Sequence, residues 1–235
     1  LRLPTGGGKT LLAAHAVGLV ADAYLKADSP VALWLVPSNA IREQTLGTLK
    51  NRTHPYRLAL TERFGENVRI MDVAEALYAK RPDYDGGAVV IVATLQAFRV
   101  TETEGRKVYE ANGELMDHFS GLSDAQARLL ERADGGVPIP SLCNVLKLRR
   151  PMVIVDEAHN ARTALSFATL ARLSPSMILE LTATPAKESN VLHHVSAAEL
   201  KAVQGELDKA IEGVAPGFKD YLKTYADLSN LGAQK

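Results

Sequence analysis

Pro4-Thr5-Gly6-Gly7-Gly8-Lys9-Thr10 sets three consecutive glycines ahead of a lysine and a hydroxyl residue. Glycines let a backbone curl until several N–H groups face one anion, and a helix N-terminus adds partial positive charge. The apolar stub Leu1-Arg2-Leu3 precedes this loop and an apolar helical stretch follows it, which is the strand, loop and helix order of a phosphate-binding loop. On that reading Thr5, Gly6, Gly7, Gly8, Lys9 and Thr10 hold a nucleotide. Lys9 would reach the β and γ phosphates, and the Thr10 hydroxyl would ligate Mg²⁺. The strict pattern has a glycine where this chain has Leu3.

Two carboxylates close the apolar run Met152-Val153-Ile154-Val155, in the order Asp156-Glu157-Ala158-His159. Ligands of open α/β sheets sit at such carboxyl ends of buried strands. One carboxylate can hold hydrated Mg²⁺ while the next orients or deprotonates an attacking water. Asp156 is assigned the metal and Glu157 the water. Taken alone these four residues would read as a solvated helix start; the loop at 4–10 decides for the metal. Leu181-Thr182-Ala183-Thr184-Pro185 follows a further strand, where small hydroxyl residues can bond neighbouring loops, or where a proline simply stops the strand.

These three segments, in this order, resemble motifs I, II and III of superfamily 2 helicases and translocases, of the DEAD/DEAH-box subtype found in the helicase (restriction) subunit of type III restriction enzymes. Leu35-Val36-Pro37-Ser38 resembles motif Ia, Ala93-Thr94-Leu95-Gln96-Ala97-Phe98 resembles motif Ib, and Glu188-Ser189-Asn190-Val191 is similar to the segment after motif III in that group. The resemblance spans about residues 1–203. It implies a first RecA-like lobe that couples ATP hydrolysis to movement on double-stranded DNA. It also implies that His159, Thr182 and Thr184 link the nucleotide site to a second lobe, while Pro37, Ser38, Thr94 and Gln96 lie near the DNA backbone. The family's adenine-reading segment and its second lobe, which carries the arginine that completes the ATP site, have no counterpart in this sequence. Since arginine fingers contribute roughly 10³ to 10⁵ in rate, the lone lobe is expected to bind nucleotide far better than it turns it over. A truncated, non-catalytic nucleotide-binding module and an RNA helicase lobe are the competing readings, and a DNA-modification subunit is an implied partner.

The elements that must position these groups are legible as alternation. Apolar runs at 31–36, 88–93, 152–155 and 177–181 are each followed by a helix-like stretch, predicting an α/β fold with a mostly parallel sheet and helices on both faces. Residues 9–25 read as a helix apolar nearly all round and packed deep, with His15 as a core or packing residue. Ser38 is a candidate N-cap for a helix over 38–49, and 73–79 reads as a third helix. Residues 101–150 read as an insertion within a lobe of residues 1–200. Ser196-Ala197-Ala198-Glu199 has capping-box spacing and opens a helical tail, 201–235, of unassigned role.

Composition narrows the partners. The 235 residues carry 27 Lys+Arg against 27 Asp+Glu, so a nucleic acid must be held by a local patch. Arg42, Lys50, Arg52, Arg57 and Arg63 form one basic run, in which Arg42 is the candidate phosphate contact, and Lys147, Arg149 and Arg150 form another. Residues 101–134, with eight acidic and four basic side chains, suit no phosphate backbone. One cysteine, Cys143, excludes an internal disulfide and fits a reducing, cytoplasmic compartment. No apolar run approaches the roughly 20 residues of a membrane span. The adjacent His193 and His194 would point to opposite faces of a strand, which argues against shared metal ligation. Glu199-Leu200-Lys201 has no partner carboxylate for a nuclease site. Leu1 rather than Met opens the chain, so an N-terminal piece is expected to be missing.

Overall fold

A strand that is apolar at every position needs cover on both faces, and three such runs, 31–36, 88–93 and 152–155, form the middle of one sheet. The computed structural model describes residues 1–4, 7–98, 107–156, 169–183, 191 and 194–203. Five parallel strands lie in the order β2-β3-β1-β4-β5, with β1 Val31–Val36, β2 Val68–Asp72, β3 Ala88–Thr94, β4 Met152–Asp156 and β5 Met177–Leu181. Side-chain alternation splits the core in two. Val31, Leu33 and Leu35 of β1 pack with Tyr84, Phe98 and Leu146, whereas Ala32, Trp34 and Val36 pack with Ala14, Val17 and Leu60. The α/β reading of the sequence is thus the observed fold.

On the second face lie α1 (Lys9–Val20), α2 (Asn39–Lys50) and α3 (Pro55–Phe64). The first face is covered by α4 (Val73–Ala76), α5 (Arg81–Asp85), a 3₁₀ segment Gly113–Phe119 and α7 (Leu142–Arg149), with the short α6 (Asp124–Arg128) between the last two. The Ser38 cap is present, its hydroxyl accepting from the Ile41 N–H at 3.4 Å. The helix expected over 73–79 ends as a helix after one turn, at Ala76, and begins with a capping box in which Asp72 accepts from Glu75 N and Glu75 from Asp72 N, both at 2.8 Å.

Several expectations need correction. The helix over 9–25 is α only to Val20 and continues as a π turn, Ala21–Leu25. It is not packed all round: Ala13, Ala14, Val17 and Gly18 face inward, while Leu12 and Leu19 are 42% and 69% exposed. His15 is likewise on the outer side, 3.7 Å from Glu62 of α3, and not a core residue. Gly18 matters here because a Cβ would come within 3.0 Å of the Arg63 Cβ, so α3 approaches α1 closely only over a glycine. The stretch read as an insertion ends in α7, whose residues 142–147 are all buried against the sheet. Its last part is a core helix leading into β4.

Residues 1–192 form one compact unit and 193–235 another. In the second, a helix over 197–203 is described, and the predicted capping box is made: Ser196 N donates to Glu199 Oε2 at 2.6 Å and Glu199 N to Ser196 Oγ at 3.1 Å. Glu199 is therefore a capping residue. Among the described residues no helix is long and apolar enough to cross a membrane.

Candidate nucleotide and nucleic-acid site

The stub before the glycine loop is a sixth line of the sheet. The Leu1 amino group donates to Glu180 O at 2.6 Å, Thr182 N to Leu1 O at 3.2 Å and Leu3 N to Thr182 O at 3.1 Å, so residues 1–3 run parallel beside β5. Leu3 is 4% exposed. It is thus a core strand residue, which is why this position takes a leucine and the turn is left to the glycines after it. Gly7 N donates back to Pro4 O at 3.1 Å, and Gly8 adopts φ 74°, ψ 19°, a left-handed conformation that glycine enters without penalty. From there α1 starts at once, with Leu12 N bonded to Gly8 O at 3.0 Å. The first-turn N–H groups of a helix have no intrahelical acceptor. No acidic residue stands in this first turn to neutralise them, so the positive end of α1 faces the loop. Lys9 is 8% exposed and Thr10 partly buried.

Asp156 closes β4 opposite Leu181 of β5 and is partly buried. Because β5 lies between β4 and residues 1–3, the acidic strand end and the start of the glycine loop stand two strand spacings apart, about 10 Å, at the same edge of a parallel sheet. Thr182, 2% exposed, occupies the gap with its backbone bonded to the stub on both sides. Arg2, which the sequence reading passed over, donates from Nε to Ala183 O at 3.2 Å and joins the stub to the loop after β5. Thr5, Gly6, Glu157, His159 and Thr184 lie outside the described residues, as do His193 and all of 188–191 but Val191. Among the described residues no three His, Cys, Asp or Glu side chains cluster as a metal cage.

The other half of the same edge carries a cavity of about 710 Å³. Val36 and Thr94 are register partners at the ends of β1 and β3, which brings Pro37 and Ser38 beside Thr94 and Gln96. Arg42, Thr94 and Gln96 line the cavity together with Leu77, Tyr78 and Val108. Thr94 is 9% exposed and Gln96 is at the surface. The side chain of Arg42 is 29% exposed; it approaches Glu43 at 3.7 Å, and its buried Nε has no hydrogen-bond partner among the described residues.

The rest of the basic run is spoken for. Lys50 pairs with Glu75 at 2.7 Å, Arg52 with Glu66 at 3.3 Å and Arg63 with Asp22 at 2.5 Å, while Arg57 is buried and donates to Val68 O at 2.9 Å. In the second run Lys147 is 8% exposed and bonded to Glu131 at 2.9 Å and Arg149 pairs with Asp85 at 2.5 Å, which leaves Arg150 at the surface.

Glu131 is a hub that the sequence did not announce. Its carboxylate takes Arg172 Nε and Nη2 at 2.6 and 2.7 Å as well as Lys147 Nζ. Asn144 accepts from Glu131 N at 2.9 Å and donates to Glu131 O and Ile139 O, each at 2.8 Å. The hydrogen bond from Arg172 leads the effects that hold the Glu131 carboxyl below its usual range, against the opposing pull of burial. Burial, with Glu131 nearby, pushes the Cys143 thiol up to about 12. Arg172 also stacks 4.2 Å over the Tyr109 ring, and the Tyr109 hydroxyl donates to Phe98 O at 2.6 Å. The segment after β3 is thereby fastened to the core at several points.

Comparison with known proteins adds one finding. The family model described as type III restriction enzyme, res subunit, matches residues 1–187. No curated protein matches the chain.

Proposed function

The chain belongs to the family of type III restriction enzyme res subunits, and we propose that it is the ATP-binding lobe of a DNA-dependent translocase. A helicase-like domain with a P-loop NTPase fold is what that membership gives; the residue roles are our reading. The observation that carries it is the common edge: the glycine loop with the positive end of α1, and Asp156, flank the end of β5. An anion at the start of α1 would meet backbone N–H groups and the Lys9 ammonium, which suits the β and γ phosphates of ATP. The Thr10 hydroxyl and the Asp156 carboxylate are hard oxygen donors, the kind Mg²⁺ takes alongside phosphate oxygens. Bound there, Mg²⁺ would neutralise charge on the phosphates. Glu157, next in the chain, is assigned to position the attacking water, and His159, Thr182 and Thr184 to pass the state of the nucleotide to a partner lobe. Pro37, Ser38, Arg42, Thr94 and Gln96 are assigned to the DNA backbone.

The test is Mg²⁺-dependent binding of a non-hydrolysable ATP analogue, measured by calorimetry on the chain and on Lys9→Ala. Loss of a charge-assisted contact costs about 1.5–3 kcal/mol, so the variant should bind at least about tenfold more weakly. A folded chain that binds no analogue, or a Lys9→Ala variant that binds it equally well, would reject the assignment.

A further inference from the structure

We propose that the cavity beside β1 and β3 accepts one unpaired nucleotide of a DNA strand, its base lying against Tyr78 and its phosphate against Arg42. The proposal rests on the reading of Arg42, Thr94 and Gln96 as backbone contacts and adds to it what the base does. A cavity of about 710 Å³ falls in the range of sites that enclose small ligands, about 300–1,000 Å³. The cavity is about half open to solvent, and a duplex running along a strand edge would leave it unfilled, because its bases are stacked inside and only phosphates are presented. A base turned out of the stack would fill it.

The lining is mixed: apolar, aromatic and cationic groups suit a nucleotide, while Lys107 and Glu110 from the 101–134 stretch bring one charge of each sign. Leu77 and Val108 are apolar, the latter 1% exposed. Tyr78 is 68% exposed, an aromatic ring left at the surface, and every nucleobase has a π face that such a ring can stack on. Arg42 brings a fixed positive charge and a buried Nε–H with no acceptor among the described residues. That Nε–H is itself closed to solvent, so a phosphate would be met by the exposed part of the guanidinium. Thr94 and Gln96 add hydroxyl and amide groups at the same strand ends.

The wall that carries Tyr78 is also held in advance. Asn112 donates to Leu77 O at 2.7 Å, Lys80 bonds Glu114 at 2.6 Å, and the His118 ring meets Ala79 O at 3.0 Å. Residues 77–80 are therefore pinned to the 112–118 segment on either side of the exposed ring, so little order remains to be imposed on binding.

Fluorescence anisotropy at low salt would compare a short labelled oligothymidylate with the same oligomer lacking its central bases, on the chain and on Tyr78→Ala, Tyr78→Phe and Arg42→Ala. We expect removal of the bases to weaken binding about tenfold, as for one base on an aromatic ring. Tyr78→Ala should weaken the intact oligomer by the same factor and leave the baseless one unchanged. Tyr78→Phe should bind like the original, and Arg42→Ala should weaken both oligomers equally. Tyr78 is exposed, so its variants should fold, which the emission of the buried Trp34 checks. Equal affinity for the two oligomers, or an equal effect of Tyr78→Ala on both, would overturn the base site while leaving the backbone reading intact. Failure of the chain to bind either oligomer would overturn both.

Discussion

Glu131→Ala is the substitution from which the structure predicts the largest electrostatic loss. It strips the partner from Lys147, whose side chain is 10% exposed, and from Arg172, which is 33% exposed. Removing one member of a buried pair costs about 3–5 kcal/mol because a charge stays behind uncompensated. Arg172 can recover part of its loss through water, which sets the expectation near 3 kcal/mol. Urea unfolding followed by Trp34, the single tryptophan and fully buried in β1, reports this directly. With a slope of about 3 kcal/mol per molar urea, the midpoint should fall by about 1 M. Lys50→Ala is the control, since its pair with Glu75 is 41% and 47% exposed, and half-exposed pairs contribute about 0–1 kcal/mol. The sign with pH follows from the depressed carboxyl. The stabilisation is fully present above the ordinary glutamate value of 4.5 and is lost as pH falls through the lower folded value, so the gap between the original chain and Glu131→Ala should close on acidification below 4.5. A midpoint shift no larger than that of Lys50→Ala, or a gap that does not change with acid, would refute the hub.

Further outcomes can be checked with the same assay. Gly87→Ala should destabilise by about 3 kcal/mol, because φ is 157° and a Cβ would stand 2.2 Å from Asn67 O, whereas Gly8→Ala, at φ 74° with nothing within 4 Å, should cost only about 1 kcal/mol. Cys143, buried and with its thiol pushed up to about 12, should resist a thiol reagent at pH 8 until the chain unfolds, so that labelling and Trp34 emission follow one curve in urea; rapid labelling of the folded chain would contradict the packing.

What the sequence disclosed and withheld follows from the range of the interactions. Strands β1, β3 and β4 are built on continuous apolar runs, and β5 on one broken only by Glu180, a local signal. Strand β2 was missed because, as an edge strand, it carries the exposed Arg69 and ends at Asp72, which breaks the pattern. Helix α3 was missed for a similar reason: it opens with Pro55 behind His54, whose ring nitrogen accepts from Tyr56 N, a cap outside the usual hydroxyl and carboxylate types. What the basic run pairs with was hidden because its neutralising partners lie far along the chain, as with Asp22 for Arg63, 41 residues away. The glycine loop and Asp156 could be proposed from sequence since their residue types stand in adjacent positions. The cavity was only half legible: Arg42, Thr94 and Gln96 came from short motifs, whereas Tyr78 and Leu77 had no mark beyond being apolar.

The strand order also limits how the two halves of the edge can communicate. From residues 1–3 the strands run β5, β4, β1, β3, so the glycine loop and the end of β3 are four spacings apart, about 20 Å. No side chain bridges that distance. Between them lie β4 and β1, paired in register from Ala32 and Met152 to Leu35 and Val155 and buried on both faces, a rigid element with no second arrangement on view. Coupling needs an element with two states that both ligands bias, and in this unit none is evident among the described residues. The chain by itself should therefore bind an oligonucleotide with nearly the same affinity, within about twofold, whether or not it holds a non-hydrolysable ATP analogue, because a coupling of 1 kcal/mol or more is what a shared two-state element supplies. Anisotropy titrations with and without saturating analogue measure it. A change of tenfold or more would mean that the two halves of the edge are coupled, and the view of this sheet edge as a passive spacer would have to be abandoned.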